Sequence, residues 1–342
     1  MTIREFIQRQ GLPYEAKLIH AERVAREFRD HVDDAHVSVG GLDSITLLIW
    51  LRSIGIDVPA ISVSCLEDQS IQRVHKQIGV IPLKPIKSKA TVMNECGFPV
   101  LSKQIAGKID LLQHPTEKNK TVRHAIMTGE TGKQGGYRTG TRMKMPQKWL
   151  NLFGGYENER YGTNYAKPNF QVSNKCCYYL KEKPCDDWAR QHKSSPYLGL
   201  MASEGGQREK ALMMHGCNYY GKTVTRSCPF AIFNRQDILQ LALDFNVPVP
   251  EVYGEIVRDP DGTLRTTRAQ RTGCSMCGFG IHLETRPHRF DRLYEDNPQE
   301  WDYWMHRCVI DPETGERFGW ARVLDYIGVG WEPMLEQKEA VM

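Results

Sequence analysis

Val37-Ser38-Val39-Gly40-Gly41-Leu42-Asp43-Ser44 is the stretch from which the rest of this chain is read. Ala35-His36-Val37-Ser38-Val39 reads as a short strand, and two glycines then turn the backbone. The apolar run Ile45 to Ile49, with Trp50, continues as a buried helix. Glycines let a turn tighten and bring backbone N–H groups against an anion, and a helix N-terminus adds partial positive charge at the same spot. Asp43 suits a metal ion or a phosphate-bound water, and Ser44 suits a hydrogen bond to a phosphate. The same letters also describe a plain strand-to-helix turn with Asp43 or Ser44 as N-cap. The string is not the dinucleotide fingerprint, which needs a third glycine, nor a Walker loop, which needs Gly-Lys-Ser/Thr.

Working outward, Glu15 to Arg29 places Leu18, Ala21, Val24, Ala25 and Phe28 on one helical face. Val58 to Val63 reads as a second strand and Gln69 to Gln77 as a second helix. Strand, glycine turn, helix, strand is a βαβ unit, which implies an α/β fold with a parallel sheet and right-handed crossovers. Further on, Glu130 to Asn174 is rich in Gly, Lys, Arg, Tyr and Asn with few aliphatic residues, so an irregular insertion is expected. Leu198-Gly199-Leu200-Met201 reads as a strand, and Asn234 to Phe245 as a helix ended before Val247-Pro248. Pro287 to Ile327, with Trp301, Trp304 and Trp320, reads as a mostly helical tail.

Hydrophobic residues make up 40% of the 342 and charged residues 25%, the composition of a folded globular chain. A net charge of +4 suits an anionic small substrate without demanding nucleic acid. No apolar run reaches the roughly 18 residues of a membrane span, and Met1 to Phe6 does not open a signal peptide. A cytoplasmic location with no membrane partner is therefore expected. Such a compartment keeps thiols reduced, so ten cysteines need a reason other than disulfides. Cys65, Cys96, Cys185, Cys217, Cys228 and Cys308 are scattered, and most of them read as small buried hydrophobes.

The other four stand in pairs, Cys176-Cys177 and Cys274-Ser275-Met276-Cys277. Four soft thiolates close a zinc or iron–sulfur site. Two adjacent cysteines crowd a single tetrahedral ion, whereas a cluster offers several metal corners. An iron–sulfur cluster is thus the expectation, with zinc as runner-up. Lys175, Lys181 and Lys183 lie beside the first pair, where they would offset cluster charge or draw in an anionic nucleotide.

The glycine string resembles the PP-loop, Ser-Gly-Gly-x-Asp-Ser, of the adenine nucleotide α-hydrolase superfamily, with Val39 in place of the first serine and Ser38 just before it. Lys175-Cys176-Cys177-Tyr178-Tyr179-Leu180-Lys181-Glu182-Lys183-Pro184 resembles the Lys-Cys-Cys-x-x-x-Lys-x-x-Pro segment of the phosphoadenosine phosphosulfate (PAPS) reductase family. Gly199 to Arg208 is similar to that family's Gly-x-Arg-x-x-Glu-Ser-x-x-Arg motif, keeping Glu204 and Arg208 but carrying Met201 and Gly205 for the arginine and serine. Cys228-Pro229-Phe230 with Phe233 and Asp237, then Gly273-Cys274-Ser275-Met276-Cys277, follow in the family's order.

The resemblance implies a doubly wound, mostly parallel sheet over residues 31–285, preceded by a helix at 1–30, interrupted at about 130–174 and followed by a helical tail at 286–342. It implies that Ser38, Gly40, Gly41, Asp43 and Ser44 hold ATP or another adenine nucleotide with Mg2+. Asp43, Ser44, Glu204 and Arg208 would form the reacting surface. Cys176, Cys177, Cys274 and Cys277 would bind a 4Fe-4S cluster.

Sulfonucleotide reductases attack sulfur with a cysteine in a C-terminal Glu-Cys-Gly-Leu-His-type segment. The tail lacks one. Glu95-Cys96-Gly97-Phe98 is upstream and reads as a turn, and Cys308 is the only tail cysteine. The expectation is therefore a sulfur-transfer enzyme resembling the iron–sulfur ATP pyrophosphatases, a resemblance that implies ATP pyrophosphatase-type activation with a sulfur or electron donor. One alternative is a PAPS or adenylylsulfate reductase releasing sulfite. Another is a non-catalytic nucleotide-binding iron–sulfur module. Lys133 to Tyr165, basic and aromatic, would suit a nucleic acid acceptor, and solvated loop charge explains it equally.

Overall fold

The computed structural model of the chain describes residues 2–132 and 143–334. They fall into two compact units, Met1–Ile86 with Lys181–Ser275, and Lys87–Leu180 with Met276–Met342. These limits differ from the 31–285 and 286–342 division read from the sequence. Each unit has its own apolar core, and those cores are built from chain segments far apart in sequence.

The first unit is α/β with a mostly parallel sheet. It opens with helices α1 (Ile3–Gln10), capped by Thr2, and α2 (Tyr14–His31). Strand β1 (Asp34–Ser38) leads through the glycine turn into α3 (Leu42–Ser53). Strand β2 (Ala60–Ser62), α4 (Gln69–Gln77) and strand β3 (Ile81–Pro82) follow. After β4 (Val100–Leu101), which belongs to the second unit, the sheet resumes with β5 (Ser194–Leu198), β6 (Asn218–Tyr220) and β7 (Thr225–Ser227). The strand order is β3-β2-β1-β5-β7-β6. All neighbours are parallel except β6 with β7.

The order follows from patterning. Strand β1 pairs on both edges, so Ala35, His36 and Val37 are buried, and His36 is accommodated by a 2.8 Å hydrogen bond between its Nδ1 and Ser194 Oγ. Helix α3 is apolar nearly all round, with Leu42, Ile45, Leu47, Leu48, Trp50 and Leu51 buried, as befits a helix enclosed by its neighbours. Helix α2 buries the face read from its spacing, with Ala21, Val24, Ala25 and Phe28 in the core. Its Lys17 forms a buried pair with Asp237 at 2.7 Å, on the helix Arg235–Asp244.

In the second unit β4 pairs in parallel with β10 (Gly278–Phe279), which follows the hairpin β8 (Ile256–Arg258) and β9 (Leu264–Thr266) of the first unit. Phe98, just before β4, bridges Val172. The core gathers Phe98, Trp149, Phe153, Phe170, Phe290, Trp301, Trp304 and Trp320. The tail is helical at Arg289–Asp296, Pro298–His306 and Trp320–Ile327, with a short ladder of β11 (Val309–Ile310) and β12 (Arg317–Phe318) between.

Two expectations need correction. The described part of 130–174 is not irregular throughout: it forms helices Gln147–Phe153 and Asn158–Tyr161, and aromatic rings supply the apolar surface that scarce aliphatic residues do not. Lys133 and the nine residues after it lie outside the described residues, so the nucleic-acid stretch is described only in part. The strand read at 198–201 starts four residues earlier, at Ser194, and ends at Leu198, which leaves Gly199 to Met201 as the loop leaving its carboxyl end. Among the described residues, no helix is long and apolar enough to cross a membrane.

Candidate functional site

The chain runs outward from β1 to β2 and β3, then returns to the other side of β1 as β5. Between β1 and β5 the winding reverses, and in open α/β sheets ligands bind at the carboxyl ends of the strands at such a reversal. A cleft of about 340 Å³ sits there. Ser38, Gly40, Gly41, Asp43 and Ser44 line it from the β1 side, and Leu198, Gly199 and Leu200 from the β5 side. The two loops approach closely at Gly199, where a Cβ would lie 3.0 Å from Ser44 Cα and 3.1 Å from the Asp43 carbonyl.

The glycine turn is held from several directions. Gly40 N–H donates to Ser44 Oγ at 2.7 Å, and that hydroxyl donates to Gly41 O at 2.9 Å. Leu42 N–H donates to the Tyr253 hydroxyl at 3.1 Å, which is 2.7 Å from Thr272 Oγ1. Hairpin β8–β9 brings Thr272 back towards Tyr253, with Arg268 N–H donating to Tyr253 O at 3.0 Å. The Gly40 carbonyl faces His75 Nε2 at 2.8 Å. Gly41 has no room for a side chain, since a Cβ would come within 2.3 Å of the Tyr253 oxygen.

Charge in the cleft is dense and paired. Lys181, Arg208, Arg235 and Arg271 face Asp43, Glu67 and Glu204, which leaves one net positive charge for an anion. Asp43 Oδ1 accepts from Arg235 Nη1 at 2.5 Å, and Glu204 pairs with Arg208 and, at 3.8 Å, with Arg271. Burial pushes the Asp43 carboxyl above its ordinary range, Arg235 opposes that, and Glu204 adds to it. Lys181 lies 2.5 Å from Glu67 and hydrogen-bonds Cys274. Burial disfavours its charge, yet Cys274 and Glu67 beside it together hold the ammonium well above the usual lysine range. A second hollow continues past Asp43, Glu204, Arg235, Gln270 and Arg271 towards Met201 and Asn234.

Every nucleotide-site residue expected from sequence lines this one cleft: Ser38, Gly40, Gly41, Asp43, Ser44, Glu204 and Arg208. Sequence reasoning missed Glu67, His75, Arg235, Tyr253, Arg271 and Thr272. Only Arg271-Thr272 carried a signal, standing directly before Gly273-Cys274.

The four paired cysteines divide between the units, Cys274 in the first and Cys176, Cys177 and Cys277 in the second. Within the second unit, parallel pairing sets Val172 beside Phe98 and Gly278 beside Val100. The segments carrying Cys176-Cys177 and Cys277 therefore both start from the short run Phe98 to Leu101. Arg289 donates to the Cys277 carbonyl at 3.0 Å. The donor chemistry suits a cluster, but among the described residues no three His, Cys, Asp or Glu side chains are grouped to hold a metal ion. Cys308 is buried and donates to Trp304 O at 3.2 Å, and burial pushes its thiol up to about 12. A thiol so placed is packed rather than activated.

No protein-family model and no curated protein matches the chain. Among solved structures it is similar to the phosphoadenylyl-sulfate (PAPS) reductase from Candida auris, phosphate complex. The likeness has a TM-score of 0.36 and 9% identity, covering 71% of this chain and 89% of that one.

Proposed function

We propose that the first unit binds an adenine nucleotide by its phosphates and activates an acceptor by splitting ATP between the α- and β-phosphates, in the service of sulfur transfer. The observation that supports it most is the placing of the Gly40-Gly41-Leu42-Asp43-Ser44 turn at the sheet's winding reversal, in a cleft where four cations face three carboxylates. A glycine turn opening a twelve-residue helix offers backbone N–H groups and a favourable dipole to phosphate. Lys181, Arg208 and Arg235 would meet charge developing on the leaving pyrophosphate. Asp43 is the carboxylate that would hold Mg2+, an ion commonly bound by one or two carboxylates and able to offset phosphate charge.

A 4Fe-4S cluster on Cys176, Cys177, Cys274 and Cys277 belongs to the same proposal and would supply electrons or sulfur. Zinc is the competing occupant. No step of the nucleotide chemistry is assigned to either. A sulfonucleotide reductase acting through its own tail cysteine is disfavoured by the buried, hydrogen-bonded Cys308.

The test is product assignment after incubating anaerobically purified protein with ATP, adenylylsulfate or PAPS. Pyrophosphate from ATP, lost in Asp43→Ala, is the expected result. Sulfite from either sulfonucleotide would move the assignment to a reductase using an external thiol. Bound nucleotide without product would leave a binding module. Brown protein bleached by Cys274→Ser is expected for the cluster, and colourless zinc-loaded protein would remove it.

A further inference from the structure

We infer that His75 is a positioning residue of the phosphate turn: its Nε2–H, donated to the Gly40 carbonyl, fixes the Gly40–Gly41 peptide so that Gly41 N–H is held ready for a phosphate oxygen. The inference rests on the nucleotide reading above and deepens it.

His75 lies on α4, 1% exposed, with Nε2 2.8 Å from Gly40 O and Nδ1 2.9 Å from Ser64 Oγ. A carbonyl oxygen only accepts, so Nε2 must carry the proton. Burial lowers the His75 pKa, opposed by the Gly40 hydrogen bond, and in the neutral ring Nδ1 then accepts from the Ser64 hydroxyl. The Gly40 carbonyl thus sets the tautomer, and the Ser64 hydroxyl completes it by donating to Nδ1.

The consequence follows from peptide geometry. In a trans peptide the C=O and the next N–H point in opposite directions. Anchoring the Gly40 oxygen on His75 directs Gly41 N–H away from it. The peptide joins two glycines, the residues whose backbone rotates most freely. Released, it can turn its oxygen towards the anion it should receive. The neighbouring donors are already committed, Gly40 N–H to Ser44 and Leu42 N–H to Tyr253. Gly41 N–H has no hydrogen-bond partner among the described residues. With Asp43 N–H, which has none among the described residues either, it is a donor the turn keeps for a ligand.

The experiment measures binding of ATP, inorganic pyrophosphate and adenosine by calorimetry to the full chain. Wild type, His75→Leu, His75→Gln and Ser64→Ala are compared, with melting curves for each. One lost backbone hydrogen bond corresponds to a roughly 3- to 10-fold weaker pyrophosphate and ATP affinity in His75→Leu. Adenosine binding should be unchanged. His75→Gln, which keeps an amide donor, should recover most of the loss, and Ser64→Ala should fall between. If His75→Leu does not fold, His75→Asn, polar but too short to reach Gly40, replaces it in the comparison. Pyrophosphate binding equal to wild type in a folded variant overturns the inference, as does an adenosine affinity that falls in step. Wild type that binds neither ATP nor pyrophosphate overturns the nucleotide reading instead.

Discussion

Gly41→Ala isolates one contact in the turn. Gly41 has φ −83° and ψ −164°, which alanine also adopts, so the cost is space rather than backbone conformation. The added Cβ would stand 2.3 Å from the Tyr253 oxygen, 3.1 Å from Thr272 Oγ1 and 3.6 Å from Tyr253 Cζ. Tyr253 is 3% exposed and cannot swing clear, so it must retreat by roughly 1 Å to restore ordinary contact. That strains or breaks its bonds to Leu42 N–H and Thr272, each worth about 1 kcal/mol net. Overpacking adds about 1–3 kcal/mol, and the stiffer unfolded chain returns about 0.4–1. The expected cost is roughly 2–4 kcal/mol by these terms. Tyr253→Phe alone loses the two bonds, about 1–2 kcal/mol. In the double variant the clashing oxygen is gone and the nearest ring atom is already at contact distance. Its cost should therefore fall short of the sum by roughly 2 kcal/mol. Urea unfolding of the four proteins, compared at constant m, measures this coupling. Additive costs, equal to within about 0.5 kcal/mol, would refute the geometry.

Lys17→Met strips the partner from Asp237 while Asn234 N–H still reaches it at 2.8 Å. The loss should be near 3 kcal/mol, the low end for a broken buried pair, read by urea denaturation. Burial lowers His20 and His36 to about 4 from 6.5. Between those values the unfolded chain binds more protons than the native one, so stability should fall as pH drops from about 6.5 to about 4, by up to roughly 3 kcal/mol per ring. His36→Gln should remove about half of that fall in a pH series of melting curves. Cys308 should resist iodoacetamide in the folded protein at pH 8 and react fully in urea; rapid native labelling would contradict its burial.

The βαβ start was legible because its signals are local. A short strand buried along Ala35, His36 and Val37, two glycines and an apolar helix occupy contiguous residues, and Gln69–Gln77 is a helix with the limits its periodicity gives. The cleft's motif residues were legible for the same reason. What stayed hidden was brought in by tertiary pairing. Tyr253 reaches Leu42 through a hydrogen bond with nothing in its neighbouring letters to mark it, and His75 looks like any polar helix position until the Gly40 carbonyl is seen beside it. The middle of the chain misled because aliphatic counting misses a core made of rings. Trp149, Phe153 and Phe170 are buried there although few Leu, Ile or Val accompany them.

The alternation of the chain between its two units bears on how it is made. During synthesis the first unit has all of its strands once β9 has emerged, and nothing later in the chain is needed for its sheet. The second unit is in the opposite position. Strand β4 is among its earliest parts, but β10 and the tryptophans of the tail arrive only after the first unit is complete. Phe98, Trp149 and Phe153 must therefore wait on the ribosome with their core unfinished. That interval is when exposed aromatic surface is open to chaperones or to aggregation, and a pause before residue 276 would lengthen it.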